Sequence, residues 1–176
     1  THEVTNLTED VLANYSPLYA PDGQSLLFLS RISGSNKLFK LDRLTGDQTQ
    51  LTFGTHDEAG AQFIDEHTVI FASTAVDPSE PLDPNVARDG EIFNIWTLDL
   101  NNGQLRQFTD TATGNVNPVI VSADEDEEGD RVAFVTYYKS EYGLHTIVRD
   151  EELYLTSASN FGSPAPVIDF QAPLSH

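Results

Sequence analysis

The sequence predicts an all-β chain made of repeated sheets of four short antiparallel strands. Three observations carry that expectation. A Leu-Thr or Phe-Thr pair recurs at Leu7-Thr8, Leu51-Thr52, Phe108-Thr109 and Leu155-Thr156, at spacings of 44, 57 and 47 residues. Nine residues after each Thr stand Pro17, Ala61, Pro118 and Ala165. An apolar run follows the first three of these, at Leu26–Ser30, Val69–Ser73 and Val132–Thr136. Landmarks returning at fixed offsets mark a tandem repeat, and four-stranded units of this size in series point to a β-propeller. A β-sandwich accounts for the strands but not for the recurring offsets.

Within each unit the strand candidates are rich in Val, Ile, Leu, Phe and Thr and are divided by Gly, Asp and Asn. Asp22-Gly23, Thr45-Gly46 and Asn102-Gly103 are the clearest turn signals. In the second strand of each unit the apolar residues run on without alternation, which predicts burial on both faces between stacked sheets. The third strands, Leu38-Phe39-Lys40-Leu41-Asp42 and Ile95-Trp96-Thr97-Leu98-Asp99, alternate better. Trp96 reads as core between blades. No window holds a 3.6-residue period, so helix content should be low.

Uneven spacings fall in loops. Phe28 to Leu38 and Phe134 to Leu144 are both 10 residues, whereas Phe71 to Ile95 is 24. The surplus of 14 matches the Asp/Pro/Glu/Gly stretch from Asp77 to Gly90. A second surplus coincides with the acidic run Asp124-Glu125-Asp126-Glu127-Glu128-Gly129. The expected organisation is one partial propeller over 1–176, with units at about 10–53, 54–110 and 111–158. Residues 159–176 form an exit segment or the start of a further strand. Three units fall short of the four to eight that close a ring. The chain is therefore expected to be part of a six- or seven-bladed ring, or to complete six blades as a homodimer.

Composition narrows the function. The chain has 176 residues, with 9 Lys+Arg against 28 Asp+Glu and a net charge of −19. Such acidity repels phosphate backbones and anionic bilayers, which argues against nucleic-acid and membrane-surface binding. No apolar run approaches the ~20 residues that cross a bilayer. There is no Cys and no Met. Disulfides, thiolate metal sites and Cys nucleophiles are thereby removed, and the chain reads as processed or as a piece of a longer one.

Ser16-Pro17-Leu18-Tyr19-Ala20-Pro21-Asp22-Gly23, Leu26–Arg31, Leu38–Asp42, Gly46 and Leu51-Thr52 together resemble one repeat of the TolB-like β-propeller family. That unit reads Ser-Pro-Asp-Gly, an apolar run ending Ser-x-Arg, a strand ending in Asp, a Gly, then Leu-Thr. The second unit keeps Leu98-Asp99, Gly103 and Phe108-Thr109 but has Asp65-Glu66 where Pro-Asp-Gly would sit. The third keeps Asn117-Pro118 and its apolar run. The resemblance covers about residues 4–156. It implies a bacterial extracytoplasmic setting: periplasmic, secreted or outer-membrane-associated. Relatives of this kind act as interaction modules or precede a peptidase domain.

Candidate sites are few. Asp124, Asp126 and Asp130 alternate like the start of a calcium loop, but the twelfth position is Val135 rather than a bidentate Glu, so an EF-hand is rejected. Asp77, Asp83 and Asp89 of the insertion, with Glu80 and Glu91, are a second calcium candidate on a loop stiffened by Pro78, Pro81 and Pro84. Tyr137, Tyr138 and Tyr142 form an aromatic group on a hairpin, the residue type that anchors interfaces. No His pair has zinc-ligand spacing, and neither a nucleophile elbow nor a phosphate loop occurs. The sequence thus predicts a non-enzymatic protein–protein scaffold with no certain cofactor. Its partner would be another protein or further propeller blades. The alternatives are the gating propeller of a peptidase and a carbohydrate- or peptide-binding module.

Overall fold

The computed structural model describes residues 4–8, 10, 12–76, 91–121, 129–148 and 154–163. Among these residues twelve strands lie in three antiparallel sheets. The first sheet is β1 (Asn14–Tyr19), β2 (Ser25–Ile32), β3 (Ser35–Asp42) and β4 (Gln48–Gln50), paired in chain order. The second contains β5 (Glu58–Phe63), β6 (Thr68–Ser73), β7 (Asn94–Asp99) and β8 (Gln104–Gln107). The third contains β9 (Asn115–Val121), β10 (Arg131–Tyr138) and β11 (Glu141–Val148). The three expected turns fall between β1 and β2, β3 and β4, and β7 and β8. A single 3₁₀ turn, Ala158–Phe161, is the helical content among the described residues.

Burial on both faces is met in the first two sheets. In β2, Leu27 and Leu29 join Leu38, Val69, Phe71, Trp96, Leu98 and Leu105 in the core between the first and second sheets. Their neighbours Leu26 and Phe28 turn the other way, to Phe39 and Leu41. The second sheet does the same. Val69 and Phe71 face the first sheet, while Ile70, Ala72 and Ile95 pack on Val132 and Phe134 of the third. Trp96 is 1% exposed and lies in the inter-sheet core. β10 departs from the expectation: its burial alternates, with Val132, Phe134 and Thr136 inward and Arg131, Ala133 and Val135 only half-buried. One face of that strand meets the second sheet, and no described sheet covers the other.

The Leu-Thr landmarks have a local job. Thr52 Oγ1 accepts the N–H of Leu38 at 3.0 Å, and Thr109 Oγ1 accepts that of Ile95 at 2.8 Å. Leu51 and Phe108 donate their own N–H to the carbonyls of Leu38 and Ile95, both at 2.8 Å. Gln50 and Gln107 donate side-chain N–H to the carbonyls of Thr52 and Thr109, both at 2.7 Å. The unit therefore reads Gln-x-Thr as well as Leu-Thr.

The position before each recurring Pro or Ala is also shared. Ser16, Gly60 and Asn117 have φ of 52°, 59° and 53°, and the strand register shifts beside each. A left-handed residue inside a strand makes a bulge. At Gly60 there is little room: a Cβ there would lie 3.1 Å from Asn117 Oδ1 and 3.3 Å from Asn117 Cα.

The fourth strand of the third unit, expected at Leu155-Thr156, does not join β11. β12 (Tyr154–Ser157) instead adds to the outer edge of β8, with Thr156 opposite Leu105. The second sheet thus has five strands and the third has three. The 3₁₀ turn that follows β12 explains the choice. Ala158 donates to the Gly103 carbonyl at 2.8 Å, and Phe161 packs edge-on to both His56 and Trp96. Seating β12 on β8 buries that ring where the first two sheets meet, an anchor the edge of β11 does not offer.

Candidate interaction surface

Three residues at matching register form a column across each sheet, polar at every position except Gly143: Asn14–Ser30–Lys37, Glu58–Ser73–Asn94 and Asn115–Thr136–Gly143. The strand-three member of one column meets the strand-one member of the next. Between the first two sheets Lys37 Nζ lies 3.2 Å from Glu58 Oε2, and His56 Nε2 lies 3.0 Å from Glu58 Oε1. Lys37 also donates to the carbonyls of Phe53 and His56. Between the second and third sheets Asn94 Oδ1 accepts from Asn115 Nδ2 at 3.4 Å, Thr109 Oγ1 at 3.0 Å and the Thr111 N–H at 3.2 Å. Thr136 Oγ1 donates to Asn115 Oδ1 at 2.8 Å.

A Lys, a Glu, a His and a Ser in one place invite a catalytic reading, and burial removes it. The Lys37 and Glu58 side chains are 2% and 0% exposed, so no substrate reaches them. Burial holds the Lys37 amine below its ordinary range, with the Glu58 carboxylate pulling it back up. The cluster pins two sheets together. Sequence reasoning missed it; the signal was Lys37 standing at the head of the apolar run Leu38-Phe39.

Accessible chemistry lies at the open end of the third sheet. The Tyr137 and Tyr142 rings are 4.9 Å apart and tilted by 51°. Lys139 Nζ sits 5.0 Å from the centre of the Tyr138 ring. All three tyrosines are exposed, and beside them Leu144 is 83% exposed, a residue the sequence did not single out. Cross-strand pairing brings Val135 opposite Leu144 and Tyr137 opposite Tyr142. One apolar face and the edge of β11 that has no partner strand among the described residues therefore lie side by side. Large aromatic and aliphatic side chains in a rigid hairpin are suited to burial against a partner.

Of the calcium candidates, Asp77, Asp83, Asp89, Asp124 and Asp126 lie outside the described residues. Asp130 directly precedes β10. Among the described residues no three His, Cys, Asp or Glu side chains are grouped so as to hold a metal.

Sheets whose first strands follow one another in sequence, with β12 added to the second, packed face to face with a polar pin at each described seam, define a β-propeller segment. The chain has the TolB-like propeller fold. It is similar to the TolB structure of Agrobacterium tumefaciens, with a TM-score of 0.60 and 18% identity over 86% of this chain and 50% of that one. It is also similar to a mutant puromycin hydrolase in complex with PGG, with a TM-score of 0.52 and 15% identity over 84% of this chain and 20% of that one. The chain thus spans half the length of the first structure and a fifth of the second. No family model and no curated protein matches the sequence.

Proposed function

We propose that the chain is a non-catalytic propeller segment whose work is protein–protein contact in a bacterial extracytoplasmic setting. The observation that carries this reading is the third sheet: an exposed aromatic and aliphatic face, Tyr137, Tyr142 and Leu144, beside the edge of β11 that pairs with no other strand among the described residues. Contiguous exposed apolar surface of this kind marks interaction sites in soluble proteins. The buried state of the Lys37–Glu58 pair supports the non-catalytic part, because this acid–base pair, seen among the described residues, is sealed from substrate. The TolB-like fold is compatible with the setting, and among the described residues no helix is long and apolar enough to cross a membrane.

The test is in-cell crosslinking of the tagged chain, followed by the triple variant Tyr137→Ala, Tyr142→Ala, Leu144→Ser. A protein partner lost in the variant, at unchanged unfolding temperature, supports the scaffold. Saturable binding of a glycan or free peptide at the same residues, with no protein partner, overturns it. A second reading is favoured by the puromycin hydrolase likeness: the gating propeller of a peptidase. Peptide hydrolysis by the full-length gene product, with turnover altered by the same triple variant, would establish that reading instead.

A further inference from the structure

Among the described residues every sheet edge but one is blunted. β1, β5 and β9 lie at edges, and each is broken by the left-handed bulge at Ser16, Gly60 or Asn117. β1 and β9 carry a proline as well, Pro17 and Pro118. β4 and β12, at the remaining edges of the first two sheets, are three and four residues long. Bulges, prolines and shortness keep an edge from pairing with foreign strands. β11 has none of them. It runs eight residues and pairs with β10 at every one without a shift of register. It holds no Lys, Arg or Pro, and its one acid, Glu141, stands at its start.

This edge is open to solvent. Leu144 follows Gly143 in the columns as Leu38 follows Lys37 and Ile95 follows Asn94. Leu38 and Ile95 are 1% and 0% exposed, whereas Leu144 is 83% and Tyr142, on the same face, is 76%. His145 and Thr146 are exposed too. The backbone is aimed outward at the same residues. Tyr137 donates its N–H to Gly114 on the β9 side, so its pair with Tyr142 is not a hydrogen-bonded one. Tyr142, Leu144 and Thr146 therefore point N–H and C=O away from β10. The third unit's own Leu155-Thr156 is held on β8.

The first two sheets show what such an edge accepts. Leu51 and Phe108 donate N–H to the carbonyls of Leu38 and Ile95, and Thr52 and Thr109 take the N–H of the same two residues on their hydroxyls. Gln50 and Gln107 brace the strand by bonding the Thr carbonyl. In the same register on β11, the Leu or Phe stands opposite Leu144, the Gln before it opposite His145 and the Thr after it opposite Gly143. The next two residues fall opposite Tyr142 and Glu141. Leu144, Tyr142, Val135 and Tyr137 share one apolar face, and Glu141 is on the other.

Resting on the reading of the third sheet as a contact surface, we infer that its occupant is an extended segment of a partner protein, added antiparallel to β11 as a further strand. The segment reads Gln-Leu-Thr or Gln-Phe-Thr, then an apolar residue, then Lys or Arg. Main-chain bonds to Leu144 and Thr146 hold it, and its Thr hydroxyl takes the Leu144 N–H. Its apolar residues cover Leu144 and Tyr142, and its cation meets Glu141. The net charge of −19 draws in a basic segment.

The probe is a fluorescent synthetic peptide that copies residues 48–53, Gln-Thr-Gln-Leu-Thr-Phe, with a Lys added, titrated against the full chain by anisotropy. Saturable binding is expected. Thr→Val at the second Thr of the peptide should weaken it about fivefold. N-methylation of the peptide's Leu removes the donor to the Leu144 carbonyl and should weaken it about tenfold, with the protein unaltered. In the protein, Thr146→Pro removes one outward N–H where an edge strand tolerates proline, and should also cost about tenfold, while Thr146→Val binds as the unaltered chain does. Absence of binding at about 1 mM peptide overturns the inference. So does equal binding of the N-methylated or a scrambled peptide. Slow hydrogen exchange of the Leu144 and Thr146 amides in the free protein overturns it too, because the chain's own residues would then hold this edge. A protein partner lost in the Tyr137, Tyr142 and Leu144 triple variant but kept by Thr146→Pro refutes strand addition and leaves the scaffold reading standing.

Discussion

Lys37 on β3 and Glu58 on β5 form an ion pair at 3.2 Å that joins the first sheet to the second with both side chains sealed from solvent. Removing one partner of such a pair strands a charge in a dry site, at a cost of ~3–5 kcal/mol. Lys37→Met should therefore lose about that much in urea unfolding. Lys37→Met combined with Glu58→Leu should recover most of it, because the desolvation cost of both ions disappears together. A double variant as weak as the single one would show that the pair is held by its backbone partners instead.

The pair also sets a pH dependence. Burial lowers the Lys37 amine from its ordinary 10.5, so the folded chain gives up that proton before the unfolded chain does. Between the folded value and 10.5 the unfolded state binds more protons, and stability gains from this group as pH rises through that window. Lys37→Met should remove the gain. At the acid end, the backbone N–H groups of Thr45 and Leu44 hold the exposed Asp42 carboxylate below its ordinary 3.8. Its contribution is present above 3.8 and lost as pH falls through the folded value, so Asp42→Asn should flatten the acid limb of the stability curve.

Thr52 and Thr109 should respond alike to substitution because they do the same work. Thr→Val at either keeps the shape and removes the acceptor of a buried strand N–H, a loss of ~1–3 kcal/mol. Thr→Ser should retain most of the stability. Unequal losses at the two sites, measured by chemical denaturation, would show that the repeat is one of sequence and not of energetics.

At Gly60 the bulge requires φ of 59° and leaves a Cβ only 3.1 Å from Asn117 Oδ1. Gly60→Ala should cost ~1–2 kcal/mol from the left-handed backbone, before any displacement of Asn117. Asn117→Gly, at the matching position with φ of 53°, should be tolerated. Thermal unfolding of the two variants separates them.

Phe161 gives a spectroscopic handle, since its ring lies 6.3 Å from that of Trp96, the chain's one tryptophan. Phe161→Ala should open the seam beside the indole, shift its emission to the red and cost about 2 kcal/mol, less than the ~3–5 of a fully buried ring. Unchanged emission would mean that the 3₁₀ turn contributes nothing to closing that seam.

Much of the fold was legible from residues whose task is local. Leu51-Thr52 and Phe108-Thr109 could be read as landmarks because the Thr hydroxyl caps a strand of the same unit 14 residues back. Tyr137, Tyr142 and their hairpin could be read because a turn and a run of aromatics are neighbours in sequence. The pairing of Lys37 with Glu58, 21 residues apart, could not be. Nothing near either residue announces the other; they meet only because two sheets stack.

By itself, then, the sequence determined the alternation of strand and turn, the tandem repetition and the propeller class. Those rest on hydrophobic pattern, turn residues and short-range hydrogen bonds that act before any sheet meets another. Only the tertiary structure decided that β12 crosses to β8, that β10 is covered on one side, and that Lys37 and Glu58 share a dry seam. Such outcomes depend on which edges and charges remain unsatisfied once the sheets pack, a balance of long-range contacts that no local window contains.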